Sequence, residues 1–259
     1  MHCSRGLERE GFLIDKAFLG VGVYSLRFET KELLPEILPG QFFMLGPHRW
    51  KSDPFLLRPF AVVDWSENGV EFLVKVVGRG TKDIVSCERG TSFRLRGPLG
   101  NGVFTATRGR SLALVAGGIG VAPLLCAWKY HSDVISSFVF GVSNRDWAGV
   151  ADWASSKVSG LTVASDDGSL GYKGTAPDVL KKEGDFIDEI WACGPVPMLK
   201  AVYGTFGGKS LIMASLESRM GCGIGGCHSC AVKTQRGMLK VCHDGPVFDL
   251  SEVFLDELI

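Results

Sequence analysis

The sequence predicts a multidomain fold with an antiparallel β-barrel, a parallel α/β domain and a small cysteine-rich domain at the carboxyl end. Three observations lead to this prediction. The first part of the chain has short alternating strands, the middle part alternates apolar strands with helices, and four cysteines cluster near the end. The predicted domains span residues 1–107, 108–209 and 210–259.

The barrel is predicted from the strand pattern of the first hundred residues. Val21–Thr30 alternates apolar and polar side chains, which is typical of a strand with one buried face. Turn pairs such as Pro39-Gly40 and Asn68-Gly69 mark the strand ends. Further short strands are predicted at Gln41–Leu45, Arg58–Asp64, Val70–Val77 and Thr91–Arg96. At least five short strands at this spacing favour a small barrel.

The pattern changes near residue 110, where wholly apolar strands begin to alternate with helices. Strand Ser111–Ala116 leads through a glycine turn to a helix over 121–130. Further strands are predicted at 134–140, 161–164, 187–192 and 211–214, and further helices at 145–157, 176–182 and 196–203. Strands that are apolar on both faces indicate a parallel sheet covered by helices.

Composition excludes several classes of protein. Among 259 residues, Lys+Arg and Asp+Glu both number 28, so the balanced charge predicts no nucleic-acid partner. No apolar run approaches the roughly 20 residues that a membrane-spanning helix needs. The segment Met1–Glu10 lacks the apolar core of a signal peptide. The expectation is therefore a soluble cytoplasmic protein.

The cysteine-rich segment has the spacing of an iron–sulfur ligand loop. Cys222, Cys227, Cys230 and Cys242 are separated by four, two and eleven residues. The first three follow the C-x4-C-x2-C pattern of plant-type [2Fe–2S] loops. Zinc is the alternative, although structural zinc usually draws on two separated C-x2-C pairs and this segment has one. His228 and His243 follow cluster cysteines, but the Cys-x-His step of a Rieske centre is absent.

Two motifs of the barrel region could bind an anion. Arg58 begins the segment Arg58-Pro59-Phe60-Ala61, and an arginine there offers a bidentate clamp for a phosphate. Gly80 and Thr81 follow the strand that holds Lys75 and open a short helix, predicted over 82–88, whose N–H groups could bind the same anion. Without further context both signals are weak, because an Arg-Pro pair usually marks only a turn.

A glycine-rich turn follows the first apolar strand of the α/β region. It contains Gly117, Gly118, Gly120 and Pro123. Small residues at a strand-to-helix turn let the backbone approach a pyrophosphate. The spacing differs from G-x-G-x-x-G, so a tight turn without a ligand is the alternative. The strand–glycine–helix context favours a nucleotide site.

Two more segments lie where parallel strands end. Asp166 and Asp167 could accept hydrogen bonds from a ribose and would repel a 2′-phosphate, which favours NAD over NADP. A solvated Asp-Asp-Gly turn is the alternative. Cys193 precedes Gly194, Pro195 and Met198, which places N–H groups and a thiol at the same sheet edge.

These motifs, in this order, resemble the ferredoxin–NADP reductase superfamily. The cysteine loop after the nucleotide region, from Glu217 to Phe248, is similar to the electron-transfer subunits of type B dihydroorotate dehydrogenases. The resemblance covers nearly the whole chain. It implies a flavin-binding barrel, an NAD-binding α/β domain and a [2Fe–2S] domain, with electrons passing between them.

The resemblance also implies roles for residues. Cys193 would belong to the catalytic centre. FAD would be held by Arg58, Pro59, Phe60, Ala61, Leu73, Val74, Lys75, Gly80 and Thr81. The nicotinamide nucleotide would be held by Gly117, Gly118, Gly120, Pro123, Asp166, Asp167, Gly194, Pro195 and Met198. The iron ligands would be Cys222, Cys227, Cys230 and Cys242. Ala61 departs from the family, which usually has Ser or Thr there, so a hydroxyl near the flavin ring is missing.

In the family, dihydroorotate is oxidised to orotate, a step of pyrimidine biosynthesis, at FMN on a catalytic partner subunit within a heterotetramer. The electrons then pass through the cluster and FAD to NAD⁺. A related reductase subunit that serves ferredoxin or sulfide chemistry is the second interpretation. A non-enzymatic module stabilised by zinc is the third. No residue of the sequence suggests a base for dihydroorotate, so the chain is not expected to oxidise it alone.

Overall fold

The structure is a computed structural model that describes residues 8–51, 53–183 and 187–258. The amino-terminal segment without a signal-peptide core falls mostly within residues 1–7, outside the described part. The predicted fold class is confirmed, because a closed antiparallel barrel is followed by a largely parallel sheet and a cysteine-rich segment. Among the described residues, no helix is long and apolar enough to cross a membrane.

Six strands form the closed barrel. They are β1 (Glu8–Gly20), β2 (Val23–Thr30), β3 (Phe42–Pro47), β4 (Arg58–Ser66), β5 (Gly69–Lys75) and β6 (Ser92–Leu99), in the order β1-β2-β5-β4-β3-β6. The interior is aromatic. Phe28, Phe43, Phe72 and Phe93 are fully buried, with contacting ring pairs 4.9 to 5.9 Å apart. Packing of this kind adds edge-to-face ring contacts to the burial of apolar area.

The sequence pattern missed β1 and misplaced the start of β2. Register shifts between Leu13 and Asp15 and between Phe18 and Gly20 interrupt the alternation of β1, as a β-bulge does. The predicted strand Val21–Thr30 begins instead at Val23, because Gly20, Val21 and Gly22 form the hairpin turn, all with positive φ.

The helix between β5 and β6 is α1 (Arg79–Ser86), so the predicted range 82–88 was wrong at both ends. The Thr81 hydroxyl accepts hydrogen bonds from the N–H groups of Val77 (2.9 Å) and Gly78 (3.2 Å). This local capping starts the helix earlier than the sequence pattern indicated.

Seven strands form the second sheet. They are β7 (Leu112–Gly117), β8 (Ile135–Val142), β9 (Leu161–Ser165), β10 (Tyr172–Lys173), β11 (Glu189–Cys193), β12 (Leu211–Ser215) and β15 (Val247–Asp249), in the order β10-β9-β8-β7-β11-β12-β15. All neighbours are parallel except β12 and β15. The helices are α2 (Val121–His131), α3 (Ala148–Ser155), α4 (Ala176–Glu183) and α5 (Val196–Phe206). The predicted helix 145–157 is shorter, because Arg145–Trp147 forms a 3-10 turn.

The cysteine-rich segment is interwoven with this sheet. Strand β12 lies beyond the predicted domain boundary at residue 210, yet it pairs with β11 inside the sheet. The chain then passes through the cysteine loop and the hairpin of β13 (Ala231–Thr234) and β14 (Gly237–Lys240). It returns to the sheet edge as β15, followed by 3-10 turns at Leu250–Glu252 and Leu255–Glu257. The loop is thus held at both ends by strands of one sheet.

Polar contacts fix the barrel against the sheet layer. Lys157, just after α3, forms an ion pair with Glu71 of β5 at 2.8 Å, and the Glu71 side chain is 9% exposed. The Tyr130 hydroxyl of α2 donates to the Ile37 carbonyl at 2.7 Å and accepts from the Trp65 indole at 3.1 Å. Breaking one partner of a buried pair is costly, so these contacts specify one relative orientation.

Candidate functional site

The first cleft lies between the barrel and the sheet and has a volume of about 320 Å³. The barrel contributes seven of the nine residues predicted to hold a flavin: Arg58, Pro59, Phe60, Ala61, Leu73, Lys75 and Thr81. The remaining wall includes Ile119, Pro123 and Cys193 from the sheet layer, and Glu217, Ser218, Met220 and Pro246 from the cysteine-rich segment. Three parts of the chain therefore meet at one cleft.

Two predicted flavin residues do not line this cleft. Val74 is fully buried in the barrel interior, because side chains alternate along β5 and its neighbour Leu73 takes the cleft face. Gly80 lies behind Arg58, where a Cβ atom would be 2.8 Å from the arginine Nε. Its absence of a side chain leaves room for the arginine.

Arg58 is held in place by its neighbours. Its Nη1 donates to the Leu56 carbonyl at 2.6 Å, and its guanidinium lies 5.6 Å from the Trp50 ring centroid. A fixed guanidinium offers its other N–H groups to an anion at little cost in side-chain entropy. The Thr81 hydroxyl is already used in capping α1, so the backbone N–H groups at the start of that helix are the remaining donors.

The second cleft lies at the carboxyl edge of the sheet and has a volume of about 560 Å³. Five predicted nucleotide residues line it: Gly117, Gly118, Asp166, Pro195 and Met198. Pro123 and Cys193 instead line the first cleft. A crevice at the carboxyl ends of parallel strands is the usual place for a nucleotide in such sheets.

Gly120 and Gly194 act through close packing rather than as part of the cleft wall. A Cβ atom on Gly120 would lie 2.3 Å from the Cys193 carbonyl oxygen. The turn after β7 can therefore approach the end of β11 only without a side chain at this position. This approach brings the two predicted nucleotide segments together.

Asp166 and Asp167 have different surroundings. Asp166 lines the second cleft, whereas Asp167 accepts hydrogen bonds from the Ser169 N–H at 2.9 Å and the Ser169 hydroxyl at 2.7 Å. The bonds from Ser169 hold the pKa of Asp167 below its usual value. Asp167 thus stabilises its own turn, and Asp166 is the carboxylate that faces the cleft.

Lys75, Ile119 and Glu217 line both clefts and mark where they meet. The Lys75 ammonium lies 4.8 Å from the ring centroid of Trp147, which also lines the second cleft. Glu217 is exposed to the cleft, but the dense protein around it desolvates the carboxyl and raises its pKa, and the charge of Lys75 opposes this rise.

Sequence reasoning gave no role at this junction to Glu217, Trp147 or Ile119. Glu217 lies two residues after β12, at the same sheet edge as Asp166 and Cys193, and this position was a usable signal. Trp147 and Ile119 carry no such signal, because large apolar side chains usually belong to the core.

Cys193 is buried at the wall of the first cleft, with 2% of its surface exposed. Burial raises the pKa of its thiol well above the ordinary value, and the negative charge of Glu217 adds to this rise. The thiol is therefore neutral at physiological pH and has no thiolate character. It offers a compact, polarizable surface to whatever occupies the cleft.

The four cluster cysteines form two neighbouring pairs. The N–H of Cys222 lies 3.4 Å from the Cys227 sulfur, and the N–H of Cys227 lies 3.4 Å from the Cys222 sulfur. In the second pair, the N–H of Cys242 lies 3.4 Å from the Cys230 sulfur. Among the described residues, no three His, Cys, Asp or Glu side chains converge on a point suited to one ion. Two pairs of sulfurs suit a core with two irons, each held by two thiolates.

Further N–H donors converge on the same sulfurs. The N–H of Gly225 donates to the Cys242 sulfur at 3.2 Å, and that of Ile224 to the Cys222 sulfur at 3.5 Å. Such contacts stabilise negative charge on thiolates. Hydrogen bonds from Ser229 lower the pKa of Cys227 to about 6, whereas burial raises the pKa of Cys242 to about 12. The residues present therefore fit an iron–sulfur core.

The two histidines lie beside this set. His228 is exposed, with a positive φ of 59°, and the His243 ring pairs with Asp244 at 2.9 Å. Neither lies in a group that could bind a metal ion among the described side chains.

Fold and site together define a flavin- and nicotinamide-dependent iron–sulfur electron-transfer protein. The protein-family model for the iron–sulfur cluster binding domain of dihydroorotate dehydrogenase B matches residues 217–254. The chain belongs to the family of dihydroorotate dehydrogenase B (NAD⁺) electron transfer subunits, which confirms the family resemblance. The Clostridium acetobutylicum member is 32% identical over 254 residues, covering 96% of this chain and all of that protein. The Geobacillus thermodenitrificans member is 37% identical over 253 residues, covering 94% and 97%.

Solved structures share the fold of this chain. An NADH-dependent reduced ferredoxin–NADP oxidoreductase is 28% identical, with a TM-score of 0.84 over 96% of this chain and 91% of that one. The ferredoxin reductase of carbazole 1,9a-dioxygenase is 20% identical, with a TM-score of 0.65 over 78% of this chain and 65% of that one, and shows the shared fold alone.

Proposed function

We propose that this chain is the electron-transfer subunit of a dihydroorotate dehydrogenase complex and carries electrons from a catalytic partner to NAD⁺. The observation that supports the proposal most is that three parts of the chain line the same two clefts. The barrel, the glycine turns of the sheet and the cysteine-rich segment all border one pair of joined clefts. A bound FAD supplies the conversion between hydride transfer with nicotinamide and single-electron transfer with a [2Fe–2S] cluster.

Each of the three parts of the chain then binds one cofactor. The three predicted domains, residues 1–107, 108–209 and 210–259, would carry FAD, NAD and the cluster respectively. In the first cleft, Arg58 and the start of α1 bind the flavin phosphates, while Leu73 and Ala61 exclude water. In the second cleft, Gly117 and Gly118 allow a pyrophosphate to approach, and Asp166 accepts hydrogen bonds from a ribose. Lys75, Ile119 and Glu217 hold the two rings next to each other.

Ala61 distinguishes this flavin site from that of most family members. Its methyl group lies where family members usually have a hydroxyl, so β4 offers no hydrogen bond to the flavin ring there. Ser218 lines the same cleft from the cysteine-rich segment and provides a hydroxyl on another wall. We expect this exchange to change the flavin potential rather than flavin binding.

The partner is proposed from the family and from surface exposure. Relatives carry the name electron transfer subunit, which implies a catalytic chain. We propose that the partner is FMN-containing, oxidises dihydroorotate to orotate and assembles with this chain as a heterotetramer. Cys227 is exposed and Ile224 is 50% exposed, so the cysteine loop can receive electrons at the protein surface. Free buried thiols suit a reducing compartment, which favours the cytoplasm.

The test is reconstitution of the complex. The chain is co-expressed with the FMN-containing chain of the same organism, purified, and assayed for NADH formation from dihydroorotate and NAD⁺. We expect NADH formation only when both chains are present. A stable complex loaded with FMN, FAD and cluster that forms no NADH from dihydroorotate would overturn the proposal.

Ferredoxin reduction is the second candidate, and the similarity to an NADH-dependent reduced ferredoxin–NADP oxidoreductase favours it. The same purified chain is therefore assayed with NADH and oxidised ferredoxin, and separately with sulfide as the donor. Rapid ferredoxin reduction without the FMN-containing chain would support this candidate over the first.

Colour and metal content test the iron–sulfur site against zinc, the alternative that the cysteine spacing left open. A flavin and an iron–sulfur cluster absorb strongly in the blue, whereas a zinc protein is colourless. Metal analysis of freshly purified protein should give two irons per chain and no stoichiometric zinc. One zinc per chain and a colourless solution would identify the binding module.

A further inference from the structure

One arginine of the barrel contacts the cysteine loop directly. Arg96 lies on β6, where Phe93 and Leu95 point into the barrel, so its side chain lies on the outer wall. Its Nη1 donates to the Cys222 carbonyl at 3.2 Å. Its Nη2 and Nε contact a Glu8 carboxylate oxygen at 2.7 and 3.1 Å. The guanidinium thus bridges the first strand of the barrel and the first cysteine of the cluster segment.

The next residue of the loop rests on the same wall. Gly223 has a φ of +73°, and a Cβ atom on it would lie 2.5 Å from the Met44 side chain and 3.4 Å from Leu99. Met44 is fully buried although it lies on the outer side of β3, because the cysteine-rich segment covers it. The loop therefore rests on β3 and β6, and Arg96 provides the polar contact of this seat.

The contact with the Cys222 carbonyl also has a direction. In a planar trans peptide the C=O and the following N–H point in opposite directions. The carbonyl of Cys222 points to Arg96, so the N–H of Gly223 points away from the barrel. Hydrogen bonding at the carbonyl polarises the whole peptide and makes that N–H a better donor.

We propose that Arg96 is a positioning residue that seats the cluster loop on the flavin barrel and raises the reduction potential of the cluster. The inference rests on the proposed function, since it requires a [2Fe–2S] cluster bound by Cys222. Reduction adds negative charge to the cluster, and a cation beside it favours the reduced form. The Arg96 side chain is 29% exposed, so water screens its charge only in part.

Glu8 reduces the effect of Arg96 on the cluster potential. Its carboxylate, 39% exposed, pairs with the same guanidinium and offsets part of the positive charge. Removing the arginine charge and removing the glutamate charge must therefore shift the cluster potential in opposite directions. A contact that only holds the loop in place does not predict this reversal of sign.

The test compares full-length Arg96→Gln, Arg96→Lys and Glu8→Gln, each purified with its cofactors. The cluster potential is measured by redox titration followed by electron paramagnetic resonance. We expect Arg96→Gln to disfavour the reduced cluster about tenfold, a shift of ~59 mV to lower potential for one electron. Glu8→Gln should raise the cluster potential. Arg96→Lys keeps the positive charge, so its cluster potential should stay close to that of the unsubstituted protein while the resonance line shape changes.

Arg27→Gln is the matched control, because Arg27 forms a similar exposed pair with Asp15 on the same barrel. Asp15 is seven residues along β1 from Glu8, roughly 23 Å away at the rise of a strand. The cluster potential of Arg27→Gln should equal that of the unsubstituted protein. Equal potentials in Arg96→Gln and Glu8→Gln, or shifts of the same sign, would overturn the role of Arg96. If the unsubstituted protein contains no iron–sulfur cluster after purification, the proposed function itself is overturned.

Discussion

At the scale of single residues, two adjacent aspartates show how local hydrogen bonds divide roles. The sequence treats Asp166 and Asp167 alike, as carboxylates after β9. The structure uses Asp167 to fix its own turn through Ser169 and leaves Asp166 to face the nucleotide cleft. Coenzyme selectivity should therefore depend on one carboxylate, and the stability of the turn on the other.

Asp166→Ala should weaken the preference for NADH over NADPH. Removing one repulsion of about 1–2 kcal/mol changes the ratio of the two kcat/KM values by roughly 5- to 30-fold. Steady-state diaphorase assays with both coenzymes measure it. Asp167→Ala is the control, and it should lower thermal stability while leaving the ratio nearly unchanged. A larger change of the ratio in Asp167→Ala would contradict the assignment.

Glu217 shows how a cleft perturbs a titrating group. Desolvation raises its pKa above the ordinary value of 4.5, with Lys75 acting in the opposite direction. The folded state therefore binds this proton more tightly than the unfolded state. It follows that the free energy of unfolding falls as the pH rises from about 4.5 through the folded-state pKa.

Glu217→Gln should remove this part of the pH dependence. Thermal unfolding of the flavin-free variant and of the unchanged protein, compared from pH 4 to 8, measures it. The variant should be the more stable above the titration window, and the difference should vanish below pH 4.5, the ordinary value for Glu. Glu67→Gln, at an exposed turn, is the control for the loss of one carboxylate elsewhere on the surface. A variant that is less stable at neutral pH would disprove the assigned sign.

At the scale of elements, the site depends on close approach between turns. The helix after the glycine turn starts at Val121, and Gly120 touches the Cys193 carbonyl at the end of β11. Sequence analysis identified both turns from their glycines and prolines. It could not identify the contact between them, because chain spacing does not give the distance between neighbouring strand ends.

Gly120→Ala should therefore impair nucleotide binding. The added methyl group overlaps backbone, which costs about 1–3 kcal/mol in a packed region. We expect NADH affinity to fall at least fivefold, with flavin content retained, as measured by titration of the purified protein. Gly204→Ala on α5 is the control, because nothing lies within 4 Å of the added atom. It should be neutral or stabilising by up to about 1 kcal/mol.

At the scale of the whole molecule, the fold class and the cysteine loop were predictable because periodicity and spacing are local properties. The junction of the clefts was not. Trp147, Ile119 and Glu217 come from three distant segments, and the ion pair between Lys157 and Glu71 joins residues 86 positions apart. The same reason explains why β12 was placed in the cluster domain in the predicted boundaries. A strand belongs to the sheet in which it pairs, and pairing is a long-range property.

None of the four loop cysteines lines either cleft, and this leads to a prediction about the whole relay. Cys227 is an exposed cysteine of the loop, whereas Arg58, Gly117 and Asp166 lie in clefts that it does not line. Cys227→Ala should therefore abolish the cluster signal and electron transfer to one-electron acceptors. Flavin reduction by NADH should keep its rate within about twofold, since changes at sites that share no partners act independently.

Iron content and stopped-flow flavin absorbance give both results from one preparation. Cys126→Ala, at a fully buried cysteine on α2, is the control and should keep cluster and flavin alike. Equal loss of flavin reduction and cluster in Cys227→Ala would mean that the loop and the clefts fold as one cooperative unit. Because β12 and β15 anchor the loop on both sides without using Cys227, we expect the clefts to keep their shape when the cluster is lost.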